Sequence, residues 1–93
     1  MNNRKWKHSI NIKQHLSNET SNEAIVNAAI GVAHELKRLP DSLEGLDDII
    51  YEFQDIAECS HNAEDNKDLL SHFNYLLNDL YDFADYNRIW MGL

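Results

Sequence analysis

The first regular pattern of apolar residues lies between Thr20 and Pro40. Apolar side chains recur there at steps of three and four residues, at Ile25, Ala29, Val32, Leu36 and Leu39. This spacing is the period of an α-helix. The four residues that start at Thr20, Thr-Ser-Asn-Glu, fit a capping box at a helix N-terminus, and Pro40 cannot continue a helix. The pattern therefore predicts a helix over residues 20–39.

Two later segments have the same period and predict two more helices, over residues 41–59 and 63–86. The apolar positions of the first are Leu43, Leu46, Ile50, Phe53 and Ala57. Those of the second are Leu70, Phe73, Leu77, Leu80 and Ala84. A second capping-box sequence begins at Asp41, and a short polar connection separates the two segments. Short connections of this kind are typical of antiparallel helical neighbours.

The two ends of the chain differ from this helical middle. Residues 1–19 form a basic N-terminal arm, in which the alternation of Trp6, His8, Ile10 and Ile12 indicates a short strand, although a short helix through His15 is the alternative. Residues 87–93 are an apolar tail that we expect to fold back on the helices. The fold class predicted is all-α: one domain over residues 1–93, a small antiparallel bundle of three long helices with a short N-terminal helix or strand.

Composition narrows the class of protein. The chain has 93 residues, of which 43% are hydrophobic, and a formal net charge of −8; it is therefore globular rather than disordered. Its apolar runs are too short to span a bilayer, so no membrane is predicted. A single cysteine, Cys59, excludes an intramolecular disulfide and favours a cytoplasmic location. The acidic balance argues against direct binding of nucleic acid, because phosphates would be repelled.

The negative charge is concentrated in residues 41–85. This stretch has thirteen acidic residues and one base, Lys67, for a net charge of −12, whereas the remainder carries +4. A helix turns about 100° per residue, and on that basis most of the carboxylates point away from the apolar stripes. The outward-facing acidic residues predicted to contact a partner are Glu44, Asp47, Asp48, Glu52, Asp55, Glu58, Asp65, Asp68, Asp79, Asp82 and Asp85.

Such a surface is unusual because like charges lie three or four residues apart, as in Glu44, Asp48 and Glu52, where each pair costs a few tenths of a kcal/mol. Carboxylates at this helical spacing lie about 5–6 Å apart, comparable to successive phosphates of a nucleic-acid strand. In this property the chain resembles DNA-mimic inhibitors, many encoded by phages against restriction or CRISPR systems, and acidic immunity proteins that cap nucleases. The resemblance implies a non-enzymatic inhibitor of a basic, nucleic-acid-binding protein or nuclease, working without a cofactor.

Two alternatives remain at this stage. Ala24, Ala28 and Gly31 form a stripe of small residues, which is typical of close helix packing within the chain or across a homodimer. The first alternative is therefore a structural dimer whose acidity serves only solubility. The other is a signalling bundle: His34, in the sequence His-Glu-Leu-Lys, resembles the His-x-Leu-Lys core of histidine phosphotransfer domains. Arg38 and Pro40 depart from that family's pattern, which favours a small residue after the lysine and a helix that continues.

Other chemistry has little support in the sequence. The five histidines do not form a His-Glu-x-x-His motif, and no Cys pair exists, so no metal site is predicted. No glycine-rich phosphate loop or Ser-His-Asp arrangement indicates an enzyme. Several aromatic residues are candidates for interface anchors, because Trp and Tyr dominate binding hot spots; they are Trp6, Tyr75, Tyr81, Tyr86 and Trp90.

Overall fold

The computed structural model describes residues 6–15, 21–59 and 66–92, and within them the chain is mostly helical. The order of elements is β1 (His8–Asn11), a 3₁₀ helix (Lys13–His15), α1 (Asn22–Leu36), α2 (Leu46–Cys59), α3 (Asn66–Tyr86) and β2 (Ile89–Gly92). Each helix packs against the other two. The three predicted helices are therefore present, and a bundle is a fair description of their packing; their antiparallel arrangement stays a prediction.

The apolar stripes recognised in the sequence meet in one core. Val32 and Leu36 of α1, Phe53 of α2 and Leu80 of α3 are fully buried. The rings of Phe53 and Phe73 pack edge to face, with centroids 6.0 Å apart and planes at 81°, the geometry that aromatic pairs prefer. This contact fixes α2 against α3 and leaves their polar faces on the outside.

Helix α1 is shorter than the 20–39 predicted. Ser21 is its N-cap, and the Ser21 hydroxyl accepts a hydrogen bond from the Ala24 amide at 3.2 Å. At the other end the amides of Arg38 and Leu39 bond to carbonyls only three residues back. The last turn before Pro40 therefore has the tighter hydrogen bonding of a 3₁₀ helix. Proline also restricts the backbone conformation of the residue that precedes it.

Helix α2 begins at Leu46, five residues later than the first residue predicted. Gly45 has a φ of +87°, in the left-handed region that glycine adopts without steric cost. The Gly45 carbonyl accepts the first helical bond from the Ile49 amide at 3.2 Å. The capping-box sequence at Asp41 therefore lies in a turn, and the backbone conformation at Gly45 sets the start of the helix.

The all-α class misses a small sheet that joins the two ends of the described chain. Strand β1 pairs in parallel with β2, with Ser9 opposite Trp90 and Ile10 opposite Met91. The predicted N-terminal strand is confirmed, and the apolar tail folds back as a second strand that also packs on α3. A two-stranded sheet is marginal alone, so its burial against the helices through Ile10, Ile12 and Ile89 is what holds it.

Arg88 turns the chain from α3 into β2. Its φ of +59° is in the left-handed region, and it is the one residue other than glycine with such a value among those described. The Asn87 amide and side-chain nitrogen both donate to the Phe83 carbonyl, which closes the helix end. The Arg88 carbonyl accepts from the Lys7 amide at 2.9 Å and so begins the pairing with the N-terminal segment.

Candidate interaction surface

Most of the acidic residues predicted near α2 are exposed. Asp47, Asp48, Glu52 and Glu58 are exposed, and Asp55 is half-buried. Glu44 is also exposed, but it belongs to the turn before α2 and not to the helix. With exposed Asp41, the turn and helix carry seven acidic residues, all exposed or half-buried, and no lysine or arginine lies between residues 41 and 59.

Helix α3 carries the other predicted acidic residues that the structure describes. Asp68, Asp82 and Asp85 are exposed, and Asp79 is half-buried. Asp65 lies outside the described residues. Helices α2 and α3 pack on each other, with the rings of Phe53 and Phe73 in contact, so the acidic residues belong to neighbouring helices. Eleven acidic residues and one base lie in the described parts of residues 41–85.

The aromatic residues divide between the core and the surface. All four tyrosines are exposed, with 67% of Tyr51, 64% of Tyr75, 41% of Tyr81 and 86% of Tyr86 accessible. Trp6 and Trp90 are exposed as well, so all five candidate anchors are on the surface. Tyr51 was missed, although its place between Asp47 and Asp55, four residues from each, puts it on the outer face of α2.

Gly31, in the small-residue stripe of α1, faces His15 of the N-terminal segment. A Cβ atom placed on Gly31 would lie 3.0 Å from the Cβ of His15 and closer still to the His15 ring. Ala28 is buried, and Ala24 is half-buried. The close approach that the stripe predicted is thus provided within one chain by His15; a dimer through Ala24, Ala28 and Gly31 stays a prediction.

Glu35 continues this stripe and was not recognised as important from the sequence. It is the buried charged residue of the described chain, with 9% of its surface exposed. The Asn11 amide donates to Glu35 Oε1 at 3.3 Å, and Arg38 Nη1 lies 3.4 Å from the same oxygen. The sequence feature that could have identified Glu35 was its position four residues after Gly31. Its role is to fasten β1 to α1.

The remaining candidate chemistry is sparse. His34 is exposed in the last turn of α1, two residues before the helix ends. Within residues 6–15, 21–59 and 66–92 no three His, Cys, Asp or Glu side chains are grouped so that they could hold a metal ion. Over the same residues no helix is both long and apolar enough to cross a membrane.

Comparison with known proteins provides no further guide to function. No family model matches the chain, and neither a curated protein nor a solved structure shows a significant match to it. Function therefore has to be argued from the charges, exposures and contacts of the residues themselves.

Proposed function

We propose that this protein is a small, non-enzymatic inhibitor whose acidic α2 and α3 bind the basic surface of a nucleic-acid-binding protein or nuclease and block it. The observation that carries the proposal is the scarcity of basic residues in this part of the chain: the described parts of residues 41–85 hold eleven acidic residues and one base, Lys67. Ordinary protein surfaces intersperse both signs of charge. A surface that carries charges of one sign destabilises the fold through their repulsion. The retention of such a surface therefore favours a role in binding.

The geometry suits a partner that normally binds phosphates. Asp48 and Glu52 are one helical turn apart, as are Asp79 and Asp82, which places their Cβ atoms about 5–6 Å apart. A groove lined with Lys and Arg for a nucleic-acid backbone would meet negative charges at a similar interval. Association with such a groove would be fast and sensitive to salt, because opposite net charges steer the encounter.

The test uses two variants with the same change in net charge. The neutralised variant carries Asp48→Asn, Glu52→Gln, Asp79→Asn and Asp82→Asn. The matched control places positive charge on the exposed stripe of α1 through Glu23→Lys, Asn27→Lys and Ile30→Lys. Both raise the net charge by four units, so only the location of the change differs.

Each protein is immobilised and exposed to a nuclease-treated lysate of the cell in which it acts, and bound proteins are eluted with duplex DNA. We expect wild type and the α1 control to retain DNA-binding proteins that DNA displaces, and the neutralised variant to lose them. Retention of the same proteins by a folded neutralised variant would overturn the proposal. Proteins retained by all three and not displaced by DNA would instead favour the structural bundle whose acidity serves solubility.

The predictions of location, cofactor and oligomeric state belong to the same proposal. The partner and this protein would meet in the cytoplasm, where a chain with one cysteine has no need of a disulfide. No cofactor takes part in simple occlusion of a groove. The inhibitor would act as a monomer or as a homodimer through Ala24, Ala28 and Gly31 of α1, which are not among the acidic residues proposed to bind the partner.

A further inference from the structure

The tyrosines and the phenylalanines of the chain occupy different environments. Phe53 and Phe73 are buried, and Phe83 packs against the core, whereas every tyrosine of the chain is on the surface. Three of the tyrosines are more than 60% exposed, and all three lie on the two acidic helices. Aromatic rings stabilise a fold when they are buried, so these rings contribute little to the monomer and remain available for contact.

Each of these three tyrosines has an aspartate four residues away on the same helix, and the pairs are Asp47–Tyr51, Tyr75–Asp79 and Asp82–Tyr86. Residues four apart on a helix have their Cβ atoms about 5–6 Å from one another. An exposed tyrosine and an aspartate are therefore neighbours on the helix surface three times, with Asp47 and Asp82 exposed and Asp79 half-buried. On α3 the positions 75, 79, 82 and 86 also follow one stripe, at steps of four, three and four residues.

The two common cations differ in how they fit such a pair. A guanidinium group is planar and weakly hydrated; it stacks on an aromatic face while its N–H groups bond to a carboxylate. An ammonium group is compact and strongly hydrated, and it pairs with the carboxylate as a point charge. A surface selected for charge alone would need only the aspartates, whereas a surface with rings beside them favours arginine.

We propose that the three tyrosine–aspartate pairs are docking positions for arginine side chains of the partner protein. This inference rests on the proposed function and narrows it: the occupied surface is one that holds nucleic acid mainly through arginine. Each ring would cover one guanidinium group, and the neighbouring aspartate would accept its hydrogen bonds. The other carboxylates of α2 and α3 would supply long-range attraction without choosing between the two cations.

The test compares the binding of two labelled peptides, nona-arginine and nona-lysine, to the purified protein by fluorescence anisotropy. Two triple variants are measured beside wild type, with Tyr51, Tyr75 and Tyr86 all changed to Phe or all changed to Leu. The Phe variant keeps the ring and loses the hydroxyl; the Leu variant keeps an apolar side chain and loses the ring. The quantity compared is the ratio of the two dissociation constants for each protein.

We expect wild type and the Phe variant to prefer nona-arginine by a ratio at least about 10-fold larger than that of the Leu variant, as stacking at three exposed sites implies. Nona-lysine should bind all three proteins with similar affinity. An arginine preference that is the same in the Leu variant would overturn the inference, and so would equal binding of the two peptides by wild type.

The proposed function has a separate outcome in the same experiment. The neutralised variant defined above should lose affinity for both peptides. If wild type binds neither peptide more tightly than the neutralised variant does, the acidic surface is not a cation-binding face and the proposed function fails with the inference. If both peptides bind wild type tightly and equally, the tyrosine inference fails and the proposed function stands.

Discussion

The ring of His15 lies against the backbone of Gly31, so that the N-terminal segment and α1 approach each other where α1 has no side chain. In an open helix interior Gly→Ala stabilises a protein by about 1 kcal/mol. Here the added Cβ would meet the ring and the Cβ of His15. We predict that Gly31→Ala gives no such gain and destabilises the fold, as measured by urea unfolding.

A double-mutant cycle separates the helix effect from the contact. In a His15→Ala background the ring is gone, and Gly31→Ala should then recover most of the gain of about 1 kcal/mol. Faster hydrogen exchange at the His15 amide, which donates to the Ile12 carbonyl, should accompany the single substitution. Stabilisation by Gly31→Ala in the presence of His15 would show that the two residues are not in contact.

The carboxylate of Glu35 gives a second prediction. Glu35→Ala removes the acceptor of the Asn11 amide and should cost about 1–3 kcal/mol, because a partly buried donor loses its partner. Glu35→Gln keeps an acceptor and loses only the ion pair with Arg38, so it should cost less than about 1 kcal/mol. Equal losses in thermal unfolding for both variants would assign the effect to the ion pair instead.

The backbone conformation of Arg88 predicts a substitution that stabilises the protein. A residue with a side chain in the left-handed region is disfavoured by about 1–2 kcal/mol, and glycine is not. After allowance for the greater freedom of glycine in the unfolded chain, Arg88→Gly should stabilise the protein by about 1 kcal/mol. Arg88→Ala is the control, since it removes the side chain and keeps the restriction; it should give no gain in urea unfolding.

The acidic helices predict an unusual response to salt. Pairs such as Asp48–Glu52 and Asp79–Asp82 repel each other by a few tenths of a kcal/mol each, and salt screens this repulsion. The free energy of unfolding of wild type should therefore rise between about 0.01 M and 0.15 M NaCl. The neutralised variant should be more stable than wild type at low salt, and the difference should shrink as salt is added. A salt-independent difference would assign it to helix propensity.

The helices could be predicted because their information is local. The step of three and four residues at Leu77, Leu80 and Ala84 belongs to one segment, and the structure keeps that stripe against the core. The start of α2 could not be placed in the same way, since two local signals compete there. The capping-box sequence at Asp41 favours an early start, and the left-handed backbone at Gly45 sets a later one.

The sheet and the N-terminal contacts needed information from distant parts of the chain. The alternation at Ile10 and Ile12 predicted a strand, but nothing near those residues indicates that Trp90 and Met91 are opposite Ser9 and Ile10. For the candidate surface, outward-facing carboxylates follow directly from helical geometry, and the described ones are exposed apart from Asp55 and Asp79, which are half-buried. Tyr51 was not predicted as a surface residue, because an aromatic residue beside Ile49 and Ile50 suggests a core position until the orientation of the helix is known.

The parallel pairing of β1 with β2 also constrains the order in which the molecule assembles. The two strands are on the order of 80 residues apart in sequence, and closing a loop of that length costs conformational entropy before any contact offsets it. The surfaces on which the strands rest, on α1 and α3, exist only after the helices have packed. The sheet should therefore form last during folding and open first during unfolding, while the acidic faces of α2 and α3 are still intact.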